Sequence, residues 1–148
     1  MSRSVMRGFD GDRLRALREK RGLSIAELGR AAGLGRGTVG KWERGAGAPQ
    51  VDALASVAAA LGVRIDELVQ VAVDDRTLVD WRILTGKTQM ELAKELDVST
   101  PALSAMERGE VRLTDARADA LASALGISID EVQRAFERVR HRPMGTQP

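Results

Sequence analysis

Apolar residues recur at helical spacing in short runs that glycines interrupt, and the predicted elements follow from that pattern. Between residues 12 and 21, Leu14, Leu17 and Arg18 fall on one face of a helix, and Gly22 supplies its left-handed C-terminal turn. Ser24-Ile25-Ala26-Glu27 has the form of a capping box, in which the serine hydroxyl accepts the third amide of the helix and the glutamate reaches back. A second helix therefore opens there, and it ends near Ala32-Gly33. After Leu34 a third is predicted from Gly35 or Arg36, with Val39 and Trp42 pointing inward and Gly45 terminating it. The turn between the second and third helices is very short. An alanine-rich fourth helix runs from about Val51 to Leu61, and Ile65 to Val69 makes a brief fifth.

The same pattern then repeats. A shift of 64 residues superposes the two halves without a gap. Trp42-Glu43-Arg44-Gly45 falls on Met106-Glu107-Arg108-Gly109, and Leu61-Gly62-Val63-Arg64-Ile65-Asp66-Glu67 falls on Leu125-Gly126-Ile127-Ser128-Ile129-Asp130-Glu131. Glu27-Leu28 meets Glu91-Leu92, Arg18 and Gly22 meet Arg82 and Gly86, and Thr88-Gln89-Met90-Glu91 repeats the capping box. Chance similarity between amphipathic helices would not hold one register across all these sites. The chain is read as a tandem duplication of all-α domains: an N-terminal arm over residues 1–9, a five-helix domain over 10–70, a linker over 71–75, a second five-helix domain over 76–140, and a disordered tail over 141–148. A unit of about 60 residues is near the lower limit for burying an adequate core. Leu28, Trp42, Leu54, Val57, Leu61 and Leu68 are expected to carry the first core, and Trp81, Leu92, Met106, Leu121, Leu125 and Val132 the second.

Composition narrows the chemistry. The chain of 148 residues is 43% hydrophobic and 30% charged, and no apolar run approaches the roughly 18 residues of a membrane span, so no membrane partner is expected. Basic residues at the N-terminus have no apolar stretch behind them, which argues against a secretory signal. Without cysteine there are no disulfides, thiolate metal sites or cysteine nucleophiles. His141 is the one histidine, and it reads as a solvated tail residue. Carboxylates and lysines stand at helix-surface spacing and not beside a glycine-rich phosphate loop, so no catalytic residue, metal or cofactor is called for. The charge is unevenly shared: residues 1–70 hold 12 Lys+Arg against 8 Asp+Glu, and residues 71–148 hold 11 against 13. The first half therefore attracts a polyanion more strongly than the second.

Two helices joined by a tight turn, the second ending in Glu-Arg-Gly, then Pro49 and a helix closing in Leu-Gly-Val, resemble the Cro/lambda-repressor-like (XRE) helix-turn-helix family. The resemblance covers both repeats. The second departs in having Leu113 where the first has Pro49. It implies that the segment beginning at Gly35 enters the DNA major groove while the helix before it crosses the backbone. Arg36, Gly37, Thr38, Gly40 and Lys41 are its outward residues. The resemblance assigns Arg36, Gly37, Thr38 and Lys41 to base reading, with Arg36 first because arginine can bond guanine O6 and N7 together. Ser24, Arg30 and Arg44 are expected at phosphate, as are Gln89, Thr100 and Arg108 in the second repeat. Arg18 with Glu43, and Arg82 with Glu107, match a family pair that forms a structural salt bridge.

These features imply a sequence-specific regulator of double-stranded DNA, a repressor of bacterial or phage origin, cytoplasmic and nucleoid-associated. Lone domains of the family bind as dimers, so a homodimer is a second expected association. In the second repeat Thr100, Pro101, Ala102, Ser104 and Ala105 replace the long donors of the first, which points either to weak base discrimination or to a protein partner docking there. An antitoxin that represses its own operon and a protein-interaction adaptor with vestigial DNA binding are the competing readings.

Overall fold

Local capping sets most helix starts in the computed structural model, which describes residues 6–140. In the first unit α1 (Gly11–Lys20) begins from Asp10, whose side chain accepts the Asp12 amide at 2.9 Å. Helix α2 (Ile25–Ala31) carries both bonds of its capping box: Glu27 N–H to Ser24 Oγ at 3.0 Å, and Ser24 N–H to Glu27 Oε1 at 2.8 Å. Helices α3 (Thr38–Glu43) and α4 (Val51–Leu61) follow, and a 3-10 turn at Ile65–Glu67 closes the unit. The second unit repeats the order with α5 (Leu78–Leu84), α6 (Gln89–Glu95), α7 (Thr100–Glu107), α8 (Asp115–Leu125) and α9 (Ile129–Arg140).

The third helix begins later than its pattern predicts. Gly37 sits at φ 82°, in the left-handed region, and no side chain caps the helix there. Glycine tolerates that conformation and weakens a helix, so the Gly35-Arg36-Gly37 stretch stays a turn. Helix α7 starts at the equivalent of Arg36, because the Ser99 side chain accepts the Ala102 amide at 3.1 Å and Pro101 is harmless in a first turn.

The chain divides into two compact units between Gln70 and Val71. Gly8 and Phe9, assigned above to an arm, belong to the first unit's backbone. Phe9 forms an isolated antiparallel bridge with Val69, the Asp10 N–H donates to Leu68 O at 3.3 Å, and the Gln70 N–H donates to Gly8 O at 3.0 Å. The segment assigned to a linker is likewise ordered: Val73–Asp75 forms a 3-10 turn, and Arg76 Nε donates to Val71 O at 2.9 Å. The tail 141–148, with His141, lies outside the described residues.

Each core is built where the apolar stripes meet. Leu14, Leu28, Leu54 and Leu68 are fully buried in the first unit beside Val57, Leu61 and Trp42. In the second, Leu92, Leu121, Leu125, Met106 and Val132 are buried as expected, joined by Leu78, Leu103, Ala135 and Phe136. Trp81 is only partly buried, against expectation: it packs on this core with the Arg76 guanidinium 4.5 Å from its ring centroid. The fifth helices are unequal. Where the first unit has three residues of 3-10 turn, α9 has twelve, and its last residue crosses Gly109 so closely that a Cβ there would come within 3.0 Å of the Arg140 backbone. No helix among the described residues is long and apolar enough to cross a membrane.

Candidate nucleic-acid interface

A buried ion pair holds the helix-turn-helix of each unit. Arg18 Nε donates to Glu43 Oε2 at 2.6 Å and Nη2 to Oε1 at 3.0 Å, while Nη1 bonds Leu23 O at 2.9 Å. One guanidinium thus joins α1, the end of α3 and the turn that leads into α2. Burial opposes its charge, yet the Glu43 bonds prevail and raise the Arg18 pKa above its ordinary value. In the second unit Arg82 repeats the arrangement on Glu107 at 2.7 and 3.4 Å and on Lys87 O at 3.0 Å. All four side chains are buried.

The two glutamates differ in their third donor. Glu43 receives Arg15 Nε at 3.4 Å, whereas Glu107 receives Gln89 Nε2 at 2.8 Å. Neither contact was read from sequence. The available signal is positional: Gln89 opens α6 where the first unit has Ile25, which cannot donate. Gln89, expected at phosphate, is half-buried with one amide hydrogen turned inward.

On the first unit Arg36 and Gly37 are exposed and precede α3, Thr38 is its first residue and half-buried, and Lys41 is exposed with its stem against Gly47. Gly40, read above as outward, is buried, and a Cβ there would lie 3.2 Å from Arg44 Nη1 and 3.9 Å from Ile25 Cδ1. The absent side chain leaves room for Arg44 to fold along the helix. Ser24 Oγ accepts its capping bond and keeps its own hydrogen to donate. Arg30 is exposed at the end of α2. Among the described residues no carboxylate pairs with Arg36, Lys41 or Arg44, whereas Arg30 interacts with the Glu27 carboxylate one turn before it.

The second unit answers differently at the same positions. Arg108, the counterpart of Arg44, donates from Nε to Glu110 Oε2 at 2.8 Å and from Nη2 to Glu110 Oε1 at 3.0 Å, and its Nη1 meets the Ser104 hydroxyl. The fork holds the Glu110 carboxyl below the usual carboxylate range. The first unit has Ala46 and Gly40 in place of Glu110 and Ser104. Thr100 is half-buried in the first turn of α7. Outward from that helix, Val98, Ala102, Ala105 and Val111 line an apolar groove that Arg112 and Arg117 border. No group of three or more His, Cys, Asp or Glu side chains among the described residues could hold a metal ion.

Two helices crossed by a short turn, clamped by a buried Arg–Glu pair and presented twice, define a helix-turn-helix protein. A family model described as helix-turn-helix matches residues 14–68 and again 78–132, so the chain belongs to the Cro/lambda-repressor-like (XRE) helix-turn-helix family in two tandem copies. It is a family of DNA-binding regulators. No curated protein matches the chain.

Proposed function

We propose that the protein is a sequence-specific transcriptional repressor of bacterial or phage origin, that its base readout lies in the first unit, and that it catalyses no reaction. The observation that carries this reading is the unshared charge of Arg36, Lys41 and Arg44 around α3, set against the neutralised Arg108 beside α7. Arg36 stands at the N-terminal end of the recognition helix, the end that contacts base edges in this motif. It is the guanine reader of the proposal, with Gly37, Thr38 and Lys41 beside it. Ser24, Arg30 and Arg44 hold phosphate, and Gln89, Thr100 and Arg108 do so more weakly in the second unit. The protein acts in the cytoplasm, at the nucleoid.

Affinity for duplex DNA should fall steeply with salt, by a log-log slope of about 0.9 for each phosphate neutralised. Arg44→Ala should weaken all sequences alike, whereas Arg36→Ala should relax preference at one base pair by about 1–3 kcal/mol of discrimination. Anisotropy titrations over a salt series, with a selected site and scrambled duplexes, check both. A salt-independent affinity would sink the proposal.

The apolar groove on α7 favours a second reading, in which the second unit docks a protein, another copy of this chain included. Ala102 and Ala105 offer methyl surface where Thr38 and Lys41 offer donors.

A further inference from the structure

Arg44 and Arg108 occupy equivalent positions directly after the recognition helices of the two units, as their C-caps. Both are exposed, and both lie where the helix-turn-helix presents charge to a DNA backbone. Their surroundings differ by two residues. Glu110 grips Arg108 with both carboxylate oxygens, at 2.8 and 3.0 Å, and Ser104 takes the remaining Nη1. Ala46 and Gly40, the equivalents in the first unit, offer Arg44 no side-chain acceptor. Glu110 is itself exposed, so a phosphate reaching the Arg108 guanidinium would meet this carboxylate beside it. The planar guanidinium is satisfied by one planar partner in a geometry that phosphate would otherwise take.

We propose that Glu110 is a negative determinant of DNA affinity: an internal carboxylate that occupies Arg108 in place of a DNA phosphate and so keeps the second unit a weak binder. This rests on the DNA-binding reading above. Two effects add in the same direction. The Arg108 fork must exchange one anion for another on binding, and the displaced carboxylate remains near the phosphates and repels them. Exposed ion pairs are weak, so the determinant tunes affinity and does not abolish it.

The test uses the full chain and a fluorescein-labelled duplex of mixed sequence, with affinity read by anisotropy over a salt series. Glu110→Ala places in the second unit what the first already has at Ala46. It should tighten binding by about two- to five-fold at low salt, the span that an exposed pair's strength allows. It should also steepen the log-log salt slope by about 0.9, the share of one newly engaged phosphate. Arg108→Ala alone should weaken binding less than Arg44→Ala does, because that side chain is already occupied by Glu110. Adding Arg108→Ala to Glu110→Ala should remove the gain, and Asp119→Ala, which removes an exposed carboxylate of α8 and changes the net charge by the same amount, should give none; an equal gain from Asp119→Ala would overturn the proposal. If Glu110→Ala leaves affinity and slope at the parent's values while Arg44→Ala reduces both, Glu110 is not a determinant and the DNA-binding reading stands. If the parent's own affinity is independent of salt and Arg44→Ala changes nothing, both fall together. Circular dichroism of each variant keeps loss of fold from being read as loss of binding.

Discussion

Arg18 touches three separate parts of the first unit, and no other side chain replaces its contacts if it is removed. Arg18→Ala would leave Glu43, with a side chain 1% exposed, to a single distant donor in Arg15 at 3.4 Å. Breaking a buried pair by deleting one partner costs about 3–5 kcal/mol, a large part of a small domain's stability. Arg18→Ala and Glu43→Ala should each lower or abolish the melting transition reported by Trp42 and leave that reported by Trp81 in place. Single-tryptophan variants separate the two signals, since the chain has only these two. The capping box makes a second, pH-dependent prediction. Glu27 accepts the Ser24 N–H, and that bond first, then the Ser24 side chain, holds its carboxyl below the ordinary value. A depressed folded pKa contributes stability that is fully present above the unfolded pKa and is lost as pH falls through the folded one. Glu27→Gln keeps an acceptor and removes the titration, so acid should destabilise the first unit less steeply in that variant. Denaturant melts at a series of acidic pH values, read at Trp42, measure the difference.

Capping residues made the elements legible, and glycines hid one boundary. Ser24 and Thr88 announced α2 and α6 because a capping box is local in sequence and forms both its bonds. Helix α3 starts two or three residues later than its pattern predicts, since apolar periodicity through Val39 and Trp42 extends smoothly back to Gly35 while backbone freedom breaks it at Gly37. Gly37→Ala forces a Cβ into the left-handed region, which costs about 1–2 kcal/mol, and should lower the first unit's stability by that amount, as measured by denaturant melts. The fifth helix was hidden for another reason. Ile65-Asp66-Glu67 and Ile129-Asp130-Glu131 are identical triplets, yet one ends as a 3-10 turn and the other runs on to Arg140. Phe136 and Ala135 decide that difference by reaching the second core, a tertiary reward that the shared triplet does not encode. The grip of Glu110 on Arg108 was equally unseen: an Arg-Gly-Glu against an Arg-Gly-Ala is visible in the chain, but only geometry shows the carboxylate turned back onto the arginine.

At the scale of the whole molecule, two compact units dividing between Gln70 and Val71 make each a candidate for independent expression. Residues 1–70 alone should keep sequence preference with reduced affinity, and residues 71–148 should bind DNA weakly and with little preference. Parallel site selections with the two fragments check this, and a defined, equally tight site for the second would remove Arg36 and Lys41 from the reading role. The pairing of Gly8 with Gln70 reaches further than stability. In the second unit Arg138 Nη1 donates to the Arg76 carbonyl, so there too the last helix is fastened near the first residues. A unit whose entrance and exit lie side by side behaves as a cassette: its coding segment can be copied in tandem, and the extra polypeptide folds without rerouting the rest. A 64-residue repeat is what such copying leaves, and between the two copies Arg36 stands against Thr100 and Ala46 against Glu110. The same closeness implies that joining Gln70 back to the segment before Gly8, with new ends opened between Gly45 and Pro49, would give a circular permutant of the first unit that still folds.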